Sequence, residues 1–536
     1  MFADRAVAPE FPRENSLSQA ENRQNEQPMK SPAKPSVAKN VLSNWGSFLF
    51  GAIISFFLAP FIVRHLGDVG YGVWTLLTSL TGYLGLLDMG VRGAVTRYVA
   101  RFHAQDKKEE LQGIVSSGLV VFVTAGLVAI FISVLLAFFG IQHFQVPAEY
   151  RATARIVLII AGVNVAVSLI AGVFGGVVVG LQRFDLTNTV EVTITAARSL
   201  LIVFALRAGM GLFTLAALQL LFAIVTVITN VVLVRRLAPQ LKIRFNQVDR
   251  ERLRLIFSFS AYSLLLQLAG YLVYYSDSLV IGWYLPVTSV TFFAIAGNLM
   301  TYARAPISSI SVTLTPHASS IEATDNLEKL KHVSTLAARY SAAVMLPIAV
   351  TFLFRGKAFI GLWMGAEYAD LSSKVLIALT VGWMVSAGNQ ALGGIMMGIS
   401  KHKALVPVAL VEGSINLILS IVLVKKMGIV GVAWATTLPS VCVHGIFWPL
   451  YVRRVLKIPA FSYIYSTWIR NACAAIPFVL ATMGIEKYWP ANNLRVYFLQ
   501  IFLILPLALL GDWIFVVDKE DRQKVLSRLQ SLLRTN

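Results

Sequence analysis

Charge is scarce in this sequence, and so is cysteine. Of the 536 residues, 14% are Asp, Glu, Lys or Arg and 57% are hydrophobic. The mean hydropathy is +0.70. A soluble domain carries roughly 25% charged and about 45–50% apolar residues. The shortage of charge therefore excludes a soluble fold, because only a bilayer can cover so much apolar surface. The two cysteines, Cys442 and Cys473, both sit in apolar runs. They exclude a disulfide framework or a cysteine metal site and read as small buried hydrophobes. No metal and no cofactor is expected. A G-x-x-x-x-G-K-[ST] phosphate loop is also missing. No loop between apolar runs exceeds about 30 residues, too few for a soluble catalytic or nucleotide-binding domain. Energy for any transport has to come from an ion gradient or the membrane potential.

Acidic residues are fewer than basic ones, 27 against 46, for a formal charge of +19. Position argues against nucleic acid as the partner. The basic residues gather at the ends of apolar runs, as expected of topogenic charge beside an anionic leaflet. Residues 1–40 are polar and rich in Pro, Asn and Gln, without the apolar centre of a signal peptide. They read as a disordered cytoplasmic tail.

What is abundant is long apolar segments. A spanning helix needs about 20 mostly apolar residues, and about 14 segments qualify. Spans one to six cover about 41–63, 72–91, 113–139, 156–180, 188–206 and 212–234. Spans seven to twelve cover about 259–284, 289–314, 335–354, 372–398, 405–424 and 429–451. Spans thirteen and fourteen cover about 468–484 and 495–517. With the N-terminus in the cytoplasm, about 33 Lys and Arg fall inside and about 11 outside, as the positive-inside rule asks. Both termini are then expected to be cytoplasmic, and the pattern, with cysteine nearly absent, fits a multi-pass protein of a bacterial plasma membrane.

The two halves repeat at an offset of about 218–219 residues. The segment from Gly175 to Arg183 recurs from Gly393 to Lys401, Asp106 recurs as Asp325, and Arg235-Arg236 recurs as Arg453-Arg454. Each half then holds six spans, an even number, so the repeats are parallel and a substrate path runs between them. The expected fold is all-α. It has a lobe over 41–237, a basic linker over 238–258, a second lobe over 259–456, two extra helices over 457–517 and a basic tail over 518–536.

The first two spans of each half carry polar or small residues along one face. Asn44 belongs to span one, Thr81, Asp88 and Arg92 to span two, Gln267 and Asp277 to span seven, and Thr301 and Arg304 to span eight. These stripes suit a cavity, though small residues also let helices pack closely. Charge sharpens the reading, since an ionised group at mid-bilayer costs at least about 2.5–3.5 kcal/mol. Arg198 and Arg304 lie near the centres of spans five and eight. A guanidinium stays charged and binds phosphate oxygens bidentately, so both suit a phosphate or pyrophosphate. The alternative is structural pairing, of Arg198 with Glu191 or Glu412, or of Arg304 with Asp88. Asp277 suits a cation or a proton, or equally a bond to a neighbouring backbone or tyrosine. Asp88, Glu191 and Glu412 are the other candidates for ion coupling.

Several motifs resemble a known family. They include Leu66-Gly67-Asp68-Val69-Gly70-Tyr71-Gly72 after span one, Leu87-Asp88-Met89-Gly90 and Arg97-Tyr98 after span two, and Gly180-Leu181-Gln182-Arg183-Phe184 after span four. Tyr275-Ser276-Asp277 and Gly398-Ile399-Ser400-Lys401 belong to the same pattern. Across residues 41–517 the chain resembles the polysaccharide-export branch of the multidrug/oligosaccharidyl-lipid/polysaccharide exporter superfamily, which includes O-antigen flippases. The resemblance implies two lobes around a cavity lined mainly by spans one, two, seven and eight. It implies alternating access that carries an undecaprenyl-pyrophosphate-linked oligosaccharide between leaflets, with the lipid tail left in the bilayer. Arg198 and Arg304 would then hold the pyrophosphate, with Arg92 and Arg97 attracting it at the cytoplasmic mouth. A polysaccharide polymerase and its chain-length machinery are the expected partners.

Three other readings compete. A drug or cation antiporter of the same superfamily is disfavoured by two intramembrane arginines. A lipid-linked peptidoglycan-precursor flippase is closer in span count and charge. A membrane glycosyltransferase or polymerase needs paired carboxylates, and the loop over 64–71 contains only Asp68.

Overall fold

A computed structural model describes residues 37–523 and 527, apart from positions 245 and 247, with side chains described from Gly46 onward except at 258–263 and 312. The tail expected over 1–40 and the last residues of the C-terminal tail fall largely outside the described residues. Among the described residues all regular structure is helical.

Eleven stretches of the described chain are long and apolar enough to cross a membrane. Two of them, Gly46–Ala104 and His402–Leu456, are 59 and 55 residues long, twice what one crossing needs. Each folds back at a glycine. Gly67 adopts φ 68° and Gly428 adopts φ 60°, a left-handed backbone that costs a residue without Cβ little. Each stretch is therefore two passes, spans one and two in the first and eleven and twelve in the second. Span eight, Thr288–Glu322, is long enough but more polar than the rest. Fourteen passes follow among the described residues, in agreement with the hydropathy of the sequence.

Two spans differ from the continuous helices expected. Span two leaves its α-helix at Gly82, tightens into a 3-10 turn over Tyr83–Asp88, and restarts at Val91 after left-handed Met89 and Gly90. Span seven runs Arg250–Tyr274, breaks at Tyr275, and resumes over Ser276–Tyr284.

The internal repeat is present in the backbone itself. Left-handed residues recur in pairs at the expected offset: Asp106 with Asp325, Gln182 with Ser400, and Gly209 with Gly428. Spans four and ten end in the same hydrogen-bonded turn. Arg183 N–H donates to Val178 O at 3.2 Å, and Lys401 N–H donates to Met396 O at 2.8 Å. Their glycines also meet equivalent partners. A Cβ at Gly180 would lie 2.9 Å from the Thr96 carbonyl oxygen, and one at Gly398 would fall on the carbonyl of Thr315. Gly176 and Gly394 face Arg92 and Ser311 in the same way. The glycine motifs thus let span four approach span two, and span ten approach span eight, closer than side chains allow.

The lobes are tied at the end that carries the Gly67 turn. Thr291 Oγ1 donates to the Asp68 carbonyl at 2.7 Å, and the Tyr368 hydroxyl bonds the Asp68 carboxylate. Asn298 Nδ2 donates to the Tyr71 hydroxyl at 3.0 Å. Gln145 N–H donates to Gly282 O at 2.8 Å. Spans thirteen and fourteen are fastened to span nine by two arginines that the hydropathy reading passed over. Arg355, fully buried, is 2.8 Å from Glu486, and Arg339 is 2.6 Å from Asp518.

Candidate functional site

Between the lobes lies a cavity of about 740 Å³. Spans seven and eight supply most of its wall, through Tyr271, Tyr274, Asp277, Asn298, Thr301 and Arg304 among others. Span two adds Thr75 and Ser79, span one adds Phe48, and spans ten and twelve add Gln390 and Thr436. The Tyr71–Asn298 bond sits over one end. The cavity runs from there toward Phe48 and Thr313, at the opposite end of the lobes. Beside that stretch, Phe48, Leu49, Ile53 and Phe57 of span one are exposed.

Arg304 is the cation in this wall. Its Nη1 donates to the Tyr274 hydroxyl at 3.3 Å, and its guanidinium lies 5.7 Å from the centre of that ring. Its Nε is buried without a hydrogen-bond partner among the described residues. No described carboxylate reaches it at ion-pair distance, and Asp88 pairs with Arg92 at 3.6 Å instead. Glu412, on span eleven beside Ser440, and His444 are its further electrostatic neighbours. Gln390 donates to Ser308 at 2.6 Å one turn along the same wall. The arrangement offers one fixed positive charge among hydroxyls and amides, which suits an anionic group with polar substituents.

Asp277 forms a second focus. It lies in the first turn after the break in span seven and is 4% exposed. Thr436 Oγ1 donates to Asp277 Oδ2 at 2.8 Å, and Ser420 donates to Oδ1 at 3.3 Å. Asn416 Nδ2 donates to Thr436 Oγ1 at 2.8 Å, and Ser276 donates to Asn416 Oδ1 at 3.3 Å. Oxygens from spans seven, eleven and twelve thus converge around one buried carboxylate. Of the groups that hold Asp277, the sequence reading found none. Asn416 and Ser420 are spaced four apart in an apolar run, and that spacing was the available signal.

The remaining candidates disperse. Thr301 lines the cavity and donates to Gly297 O at 2.9 Å. Thr81 is buried and donates to Leu77 O at 2.9 Å, away from the cavity wall. Gln267 is half-buried on span seven and is not among the cavity residues. Arg92 is exposed and packs its guanidinium against Gly172, and Arg97 is exposed beside Tyr98. The side chain of Asn44 lies outside the described residues. Arg198 is half-buried on span five, on the face that carries Ile202 and Leu206 against span one, and does not line the cavity. Glu191 is exposed, and the pair it was weighed to form with Arg198 is not among the described ion pairs.

Two six-helix lobes around an interlobe cavity, with two added helices, define a multi-pass transporter fold. Residues 37–322 match the family described as polysaccharide biosynthesis protein. The chain belongs to that family. It is 22% identical over 510 residues to a membrane protein of Bacillus subtilis, EpsK, spanning 92% of this chain and 97% of that one. It is 23% identical over 460 residues to the probable low-salt glycan biosynthesis flippase of Haloferax volcanii, spanning 85% and 91%. Among solved structures, the lipid II flippase MurJ in an inward closed conformation shares the fold. The TM-score is 0.69 at 15% identity, over 89% of this chain and 98% of that one.

Proposed function

We propose that this protein flips an undecaprenyl-pyrophosphate-linked oligosaccharide from the cytoplasmic to the outer leaflet of a bacterial plasma membrane by alternating access. The observation that carries the reading is Arg304. It faces the cavity beside the Tyr274 hydroxyl, without a described carboxylate in ion-pair contact. An intramembrane cation held this way is costly unless an anion visits it. The guanidinium takes the pyrophosphate, the hydroxyls and amides of the wall take the first sugars, and the lipid tail stays in the bilayer. Arg92 and Arg97, exposed toward the cytoplasmic end, raise the local concentration of the anion. Arg198 has no part in this scheme, because it stands outside the cavity wall. In this orientation the Gly67 end is the outer end, and the contacts there close the cavity to the outside. Asp277 binds the coupling cation or proton. The flipped product then passes to a polymerase and its chain-length machinery.

The test is transport of a short-chain lipid-linked oligosaccharide in proteoliposomes. A charge-assisted phosphate contact is worth about 1.5–3 kcal/mol, so Arg304→Ala should slow transport by about 10–100-fold. Arg304→Lys keeps the charge but loses the planar fork and should fall between. Asp277→Asn should remove dependence on the ion gradient. Native rates in a well-folded Arg304→Ala protein would sink the pyrophosphate role. A peptidoglycan precursor carries the same pyrophosphate, and its preferential transport in the same assay would reassign the glycan.

A further inference from the structure

Tyr271 and Tyr274 end the first segment of span seven, and Tyr275 stands at its break. All three border the cavity. The first and the last are taken up by packing. Their rings meet edge to face, with centroids 5.0 Å apart and planes 83° apart. Each also fills the space over a glycine of span two. A Cβ at Gly82 would come within 2.7 Å of the Tyr275 ring, and one at Gly85 within 2.8 Å of the Tyr271 hydroxyl. These two tyrosines seat span seven against the first lobe.

Tyr274 is different. It is 61% exposed, and among the described residues no other aromatic ring meets it. Its one polar partner there is Arg304, whose Nη1 donates to the hydroxyl at 3.3 Å. The guanidinium lies 5.7 Å from the ring centre, near the outer limit of about 6 Å for attraction to a ring face. It therefore grips the hydroxyl end and leaves the body of the ring open. An open aromatic face is electron-rich and attracts C–H groups that neighbouring oxygens have made positive. A pyranose presents such a face. In a glycosyl pyrophosphate the sugar ring and the first phosphorus are joined through one oxygen. A sugar lying on Tyr274 thus puts its phosphate within reach of Arg304. A free phosphate would use the guanidinium alone, and a lipid tail would use the ring alone.

We infer that the ring of Tyr274 is the platform for the sugar attached directly to the pyrophosphate, and that it makes binding depend on a pyranose at that position. This rests on the reading of Arg304 as the residue that holds the pyrophosphate. Tyr274 meets the sugar through its ring face, and its hydroxyl stays with Arg304.

The experiment is calorimetric titration of the full-length protein in detergent with two probes, farnesyl pyrophosphate and farnesyl pyrophosphate carrying one sugar. Glucose, galactose and N-acetylglucosamine are each tried as that sugar, and the tightest binder is used throughout. The parent chain should bind the sugar-bearing probe about 5–10-fold more tightly than the bare one, the worth of one aromatic contact. Tyr274→Leu keeps an apolar side chain and loses the ring face. It should bring the two affinities within about twofold of each other, with the bare probe still within about twofold of its affinity for the parent. Tyr274→Phe keeps the ring and should keep the preference for the sugar. Equal affinity of the parent for both probes, whichever sugar is used, overturns the inference. An equal fall for both probes in Tyr274→Leu also overturns it, because Tyr274 would then only steady Arg304. Arg304→Ala separates the inference from the reading beneath it. If that variant binds the bare probe as the parent does, the pyrophosphate role fails and takes the platform with it. If Arg304→Ala weakens both probes and Tyr274→Leu keeps the sugar preference, only the platform fails.

Discussion

The indole Nε1 of Trp363 donates to the backbone carbonyl of Phe56 over 3.0 Å, joining span nine of the second lobe to span one of the first. The Phe56 ring also stacks on Trp363, with centroids 5.1 Å apart and planes 16° apart. Close by, Tyr368 bonds the Asp68 carboxylate. These contacts join the two lobes outside the lining of the cavity. A buried hydrogen bond contributes about 1 kcal/mol and an aromatic pair about 0.5–1.5 kcal/mol. A closure made of a few such terms is firm enough to persist and weak enough to reverse.

Removing two of these hydrogen bonds should open the closed end. Trp363→Phe keeps an aromatic ring and loses the donor, and Tyr368→Phe loses the phenol. Together they remove about 2 kcal/mol, a shift of about thirtyfold in the open population. A cysteine at Ser79 should then react faster with a membrane-impermeant thiol reagent applied at the Gly67 face. An unchanged rate would show that closure does not depend on these two bonds.

Adjacent glycines should behave oppositely. A methyl at Gly394 would land on the carbonyl oxygen of Ser311 in span eight, whereas nothing lies within 4 Å of a Cβ at Gly393. Gly394→Ala therefore forces spans eight and ten apart and should cost about 1–3 kcal/mol, as overpacking does. Gly393→Ala should be neutral or slightly stabilising, since it sits in a helix and alanine is the better helix former. Thermal melts of the two variants in detergent decide this. Equal losses would mean that the close approach is not what the glycine motif provides.

The sequence made some layers of this molecule legible and hid others, for physical reasons. Hydropathy found fourteen passes because bilayer thickness imposes a length on every one of them. The repeat was readable because Gln182 and Ser400 must take the same left-handed turn, and their neighbours keep the same residue types. Arg304, which lines the cavity, stands out in the sequence because a charge in an apolar run is conspicuous. Arg198 is just as conspicuous, but it is not among the residues that line the cavity. The same signal passed over Arg355 and Arg339, whose partners are more than 100 residues away in sequence. Asn416, Ser420 and Thr436 carry no charge, so nothing in composition sets them apart from packing residues. Only their convergence on Asp277 does, and convergence is a property of the fold.

Acid should loosen the C-terminal helices through Asp518. Its carboxylate accepts from Arg339 at 2.6 Å and from Arg470 at 2.9 Å. Burial pushes the carboxyl up, but the two arginine hydrogen bonds outweigh it and hold the group below its ordinary value. A depressed folded-state value means stability that is present above the unfolded carboxyl range, about 3.9, and lost as pH falls through the folded value. Asp518→Asn should therefore melt earlier than the native chain at neutral pH. The gap between the two should close as pH is taken below about 4. A gap that stays constant down the acid limb would mean that the charge of Asp518 is not what fastens the helices.

At the other end of the same helices the arginine of the pair is buried, and a different behaviour follows. Arg355 is fully buried, 2.8 Å from Glu486, with its guanidinium 4.4 Å from the centre of the Tyr497 ring and a further bond to Gln500. Taking such a pair out of water costs about as much as the pair returns. The pair as a whole should thus contribute little, while either half alone should be damaging. Arg355→Met leaves Glu486 unpaired and should cost about 3 kcal/mol, at the low end for a broken buried pair because Glu486 is 32% exposed and partly hydrated. Adding Glu486→Leu should restore most of that loss, since two apolar side chains then fill the space without an uncompensated charge. A double-mutant cycle on melting in detergent measures this directly. If the two losses simply add, Arg355 and Glu486 do not act as a pair, and spans thirteen and fourteen are held by apolar packing with the Tyr497 and Phe478 layers alone.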